Sequence, residues 1–157
     1  MSIGVAGSVY ADETALREAQ DRAEIEHLMW RYARALDSFD EEAYAGVYTE
    51  DGQFIAGPNP TKGREALRNM IAGIEQGRAT RAAAGETITP LYHMTANSHI
   101  EFLGPDQARV HTYWLTLAGA AGQENPPRVL AAGRGVDEVV RVNGQWLIKS
   151  RNVAPQD

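Results

Sequence analysis

Between Asp12 and Ile74 the apolar side chains recur every three or four residues, whereas from Leu91 onward they alternate in twos. A period near 3.6 belongs to helices and a period of two to half-buried strands. Helices therefore come first and strands follow. That order predicts an α+β domain, with helices packed on one face of a curved, mainly antiparallel sheet.

The first helix is expected over about Asp12–Phe39, where Ile25, Leu28, Met29, Tyr32 and Leu36 form one stripe. A second short helix starts near Asp40 and runs through Tyr44, Val47 and Tyr48 to Glu50-Asp51-Gly52. Gln53–Ala56 reads as a strand and Arg64–Ile74 as a third helix. Glu75–Thr89 has no sustained period and reads as a mobile flap. The expected strands are Tyr92–Phe102, Ala108–Leu117, Val129–Val142 and Gln145–Val153, the last two joined by an Asn143-Gly144 hairpin. Two glycines inside Ala131–Gly135 suggest a bulge or strong bend. Residues 1–157 form a single expected domain without internal repeats, and 1–11 read as a loose N-terminal arm.

Composition narrows the chemistry. No cysteine occurs, so thiolate nucleophiles, disulfides and Cys-type zinc sites are excluded together, leaving carboxylate, imidazole and hydroxyl groups. The net charge of -6, with Lys and Arg scattered rather than clustered, argues against nucleic-acid and membrane-surface partners. Met1–Ala11 has no basic n-region and too little apolar length for a signal peptide or a span, so the expected location is cytoplasmic.

Two positions stand out. Asp37 sits just beyond the apolar stripe of the first helix, flanked by Trp30, Ala33, Leu36 and Phe39, an unusual setting for a solvated acid and a plausible one for a base. His93 opens the first long strand, and its spacing to Thr95, Asn97 and His99 predicts one polar sheet face carrying all four. A tight hairpin at Gly104 places His99 opposite either Val110 or His111. His93 and His99 lie ~20 Å apart along a strand and cannot share one ion. No metal site is expected, and phosphate-loop, dinucleotide and serine-hydrolase signatures are absent.

Asp21–Leu28 leading to Tyr32 and Asp37, then Tyr48–Phe54, Tyr92-His93 with Asn97 and Ile100–Phe102, and Asn143–Trp146 through Ser150–Asn152, together resemble the SnoaL-like branch of the NTF2-like superfamily over about residues 20–153. The resemblance implies a cone-shaped α+β barrel around one deep apolar pocket. It also implies a cofactor-free lyase of the scytalone dehydratase, bile-acid dehydratase or hexachlorocyclohexane dehydrochlorinase type, in which an Asp–His dyad abstracts a proton. Asp37 and His93 fall on the dyad positions, with Tyr32 and Arg151 in support of the departing group or developing oxyanion. The further acid or histidine of the dehydratases is unmatched, since the corresponding stretch is Thr116–Ala118. Trp30, Phe54, Met94, Asn97 and Trp114 are the expected substrate-binding residues. The implied partner is a hydrophobic, cyclic or aromatic small molecule, and the implied assembly a homotrimer or homodimer. The superfamily also holds isomerases, ring-closing cyclases and non-catalytic proteins, so isomerisation, retro-aldol cleavage and simple binding stand as the alternatives.

Overall fold

The computed structural model describes residues 6–119 and 126–155. The described residues form three helices, α1 (Ala6–Ser38) and α2 (Glu41–Gly46) before the first strand and α3 (Arg64–Ala83) between the second strand and the third. Six strands, β1 (Tyr48–Ile55), β2 (Thr61–Lys62), β3 (Leu91–Gly104), β4 (Gln107–Ala118), β5 (Arg128–Val142) and β6 (Gln145–Asn152), form one sheet in the order β2-β1-β6-β5-β4-β3. Among the described residues only the β1–β6 pair is parallel. The fold is the α+β architecture expected from the change of period. No helix among the described residues is long and apolar enough to cross a membrane.

The core forms where the α1 stripe of Ile25, Leu28, Met29 and Tyr32 meets Ile100, Val110, Val139 and Ile148 from the sheet, with Leu67 and Ile71 of α3 closing one side. α1 ends because Phe39 adopts a left-handed conformation, φ 55°, which turns the chain so that Asp40 caps α2 by accepting a 2.9 Å bond from the Ala43 amide. Asp37 is thereby fixed in the last turn of a helix that packs against β3. The expected Asn143-Gly144 hairpin is present, with φ of 50° and 80° at its two turn residues.

Several expectations are corrected. α1 takes in Ala6–Ala11, read above as a loose arm, while residues 1–5 lie outside the described residues. α2 stops at Gly46 and Tyr48 begins a strand, because Tyr48 pairs with Ile148 of β6; its helical spacing from Tyr44 was coincidental. α3 runs on to Ala83 through most of the segment read as a flap. That helix shows no sustained period because its second half is solvated over most of its surface.

The single polar face predicted for β3 does not exist. Ala96 pairs with Tyr113 and His99 with His111, so three steps on β3 oppose two on β4. This bulge, with Asn97 at φ 51°, exchanges the two faces of the strand. His93 and Thr95 face the helices before it; Ile100 and Phe102 do so after it. Asn97 and His99 are exposed.

Candidate functional site

A cavity of about 210 Å³ opens between α1 and the concave side of the sheet. Its walls include Tyr32 and Leu36 from α1, Phe54 from β1, His93 from β3, Trp114 from β4 and Arg151 from β6. These come from elements far apart in sequence, and the bent sheet brings them together. Trp114 is held by two hydrogen bonds from its indole Nε1, to the Arg134 carbonyl at 2.9 Å and the Val153 carbonyl at 3.1 Å.

That indole lies against Gly133, the residue paired with Trp114 on β5, where a Cβ would stand 2.6 Å from the Trp114 ring. One of the two glycines expected to mark a bend is thus a contact residue for the cavity wall. Gly133→Ala is expected to displace the indole, destabilise the protein by about 1–3 kcal/mol through overpacking, and weaken binding of apolar ligands. Urea denaturation followed by tryptophan emission checks the loss of stability, and quenching of that emission by an apolar ligand checks the loss of binding.

On one wall, Asp37 Oδ1 accepts two bonds from the same residue, 2.8 Å from the His93 backbone N and 2.8 Å from His93 Nδ1. The side chains are largely enclosed, at 11% exposure for Asp37 and 25% for His93. Because Nδ1–H donates to the carboxylate, the neutral ring carries its lone pair on Nε2. Asp37 does not itself border the cavity; it stands behind the imidazole.

On the opposite wall, Arg151 is buried, with its guanidinium carbon 4.1 Å from the centre of the Tyr32 ring. Its Nη1 donates to Asp137 Oδ2, and Asp137 is completely buried. Burial raises the Asp137 carboxyl to about 6 against the opposing effect of Arg151. Tyr44 and Tyr48 pack against Tyr32 and share a hydrogen bond of 3.2 Å. Burial holds both hydroxyls well above their ordinary range, which keeps them protonated.

Asp37, His93, Tyr32, Arg151, Phe54, Met94 and Trp114 therefore converge, with Met94 half-exposed at the border. Trp30 and Asn97 do not join them. Trp30 is 59% exposed, stacks on His27 and lines a neighbouring groove instead. Asn97 is carried outside by the bulge. Sequence reasoning missed Asp137, although its two-residue spacing from Val139 puts it on the core-facing side of β5, where an acid is out of place. Among the described residues no cluster of His, Asp and Glu could hold a metal ion.

The sequence pattern of the SnoaL-like domain family matches residues 17–152. No curated protein matches the chain. Among solved structures, the chain is similar to a candidate scytalone dehydratase from Novosphingobium aromaticivorans, with 26% identity, 91% of this chain and 89% of that one covered, and a TM-score of 0.71. A second Novosphingobium aromaticivorans protein, described as NTF2-like with a cystatin-like fold, has 23% identity, coverage of 96% and 90%, and a TM-score of 0.72. A Catenulispora acidiphila protein in complex with S-DNPA has 25% identity, coverage of 85% and 91%, and a TM-score of 0.67.

Proposed function

The chain belongs to the SnoaL-like domain family, and from that premise we propose that it is a cofactor-independent lyase that eliminates water or a similar group from a hydrophobic cyclic or aromatic small molecule. The observation that carries this reading is the doubly anchored Asp37–His93 pair on the wall of an apolar cavity that Tyr32 and Arg151 also border. Its similarity to a candidate scytalone dehydratase adds support.

In this reading His93 Nε2 removes a proton from carbon next to an activating group. Asp37 stabilises the resulting imidazolium and holds the ring in one tautomer. Apolar walls strengthen that attraction relative to water. Tyr32 and Arg151 donate to the oxygen on which negative charge develops. Thr116 stands opposite His93 in the sheet, in the stretch where the dehydratases' further acid or histidine is unmatched. The imidazolium is then the donor for the departing hydroxyl, so one ring takes the proton and returns it as the C–O bond breaks and water leaves.

The test is a screen of the purified protein against cyclic alcohols, halides and terpenoid- or lignin-like compounds, with and without a chelator. Turnover of at least one such compound, unchanged by the chelator, is expected. Turnover that disappears on chelation, or binding throughout the panel with no reaction, would sink the proposal.

A further inference from the structure

The two polar walls of the cavity share a plan. Of the residues that border it, the ionisable ones are Tyr32, His93 and Arg151. His93 has a carboxylate behind it, Asp37, and Arg151 has another, Asp137. We propose that Asp137 restricts the cavity to electrically neutral substrates, so that Arg151 and Tyr32 receive a carbonyl or hydroxyl oxygen and not a carboxylate, phosphate or other anion. This rests on the reading of the cavity as a small-molecule site, and it adds the charge class of the ligand.

The argument is one of balance. With His93 neutral, the site holds one cation, Arg151, and two carboxylates, so its formal charge is negative. An incoming anion is drawn to Arg151, but the carboxylate of Asp137, paired with that guanidinium, offsets the attraction, and Asp37 repels the anion from the other wall. It also gives up its water to walls such as Leu36, Phe54 and Trp114, which return no hydrogen bonds beyond the indole N–H already committed to two carbonyls. A neutral oxygen meets neither penalty. It still meets a hydroxyl and a guanidinium, because Tyr32 and Arg151 both border the cavity. Tyr44 and Tyr48, buried beneath Tyr32, are protonated and add no charge. A lone arginine in an apolar pocket would select anions; an arginine with its own buried acid is a polar donor with its charge cancelled.

The experiment compares two ligands of one shape, the ketone 2-acetonaphthone and the carboxylate 2-naphthoate. An apolar cavity of ~150 Å³ takes benzene, so the larger cavity here takes a fused pair of rings or a substituted one. Binding is read by tryptophan quenching near pH 7. The wild-type protein is expected to bind the ketone about tenfold or more tightly than the carboxylate. Asp137→Asn is expected to tighten naphthoate binding by about tenfold while the ketone changes by less than about threefold. Equal affinities in the wild type, or a ratio unmoved by Asp137→Asn, overturn the proposal. If that variant does not fold, the double variant D137N/R151Q, which lacks both charges, is expected to keep the wild-type preference for the ketone; a preference for the carboxylate would refute it. Failure of both ligands to bind counts against the underlying reading of the cavity. Tight naphthoate binding beside intact His93-dependent turnover counts against this inference alone.

Discussion

Replacing His93 with Gln is expected to lower turnover by about 10³-fold or more while leaving the fold in place. The side chain is a quarter exposed and already borders a cavity, so its replacement by a residue of similar size removes a base without opening a large hole. Gln offers a group of similar reach but no basic nitrogen. Asp37→Asn is expected to fall by about 10²–10⁴-fold, because the amide oxygen can still accept from Nδ1 but brings no charge to the imidazolium. The two effects should not add: once the imidazole is gone, Asp37 has nothing to orient, and the double variant should resemble the His93 variant alone. Steady-state kinetics on a substrate from the screen, with circular dichroism as the control for folding, reads all three variants. Activity near wild type in either single variant removes the dyad from the mechanism.

How far the site could be read from the sequence depended on whether each feature is local. The switch of period at Leu91 is local, and so is the Asn143-Gly144 turn; both gave the right elements. The positions of Asp37 and His93 came from the helix end and strand start they occupy, which are local as well, together with the family resemblance. What escaped was set by partners. The bulge between Ala96 and His99 depends on how β3 must keep His93 and Ile100 both facing the helices, and only the tolerance of Asn97 for positive φ hinted at it. Trp30 shares a column with Asp37 on α1, yet a helical wheel gives an angle and not the element that covers it; β3 covers Asp37 and leaves Trp30 beside a groove. Tyr48 fits a helix or a strand until β6 is there to pair with it.

Asp137 escaped although its spacing from Val139 marked it, and the largest expected effect on stability follows from where it lies. Arg151→Met removes the only ion-pair partner found for a fully buried carboxylate among the described residues. Near pH 7 that is expected to cost about 3–5 kcal/mol, because the acid must stay charged in an apolar interior or take up a proton. The double variant D137L/R151M removes both charges while keeping the branching of one side chain and much of the length of the other, and is expected to lie within about 1–2 kcal/mol of wild type, or above it. The pair also sets a pH dependence. In the folded protein the Asp137 carboxyl lies at about 6, against 3.8 for its ordinary value. The native state therefore holds this proton more tightly than the unfolded chain, and this group's contribution to stability is lost as pH rises from about 4 through about 6. Without Arg151 the carboxyl moves higher still, so acid should rescue Arg151→Met more than it stabilises wild type, whereas the double variant should lack this step. Urea midpoints for wild type, Asp137→Leu, Arg151→Met and the double variant at pH 5 and 7 measure the cycle. A single variant as stable as wild type near neutrality, or effects that simply add, would mean that the two charges are not coupled and that Arg151 is held in the cavity wall by its packing on Tyr32 instead.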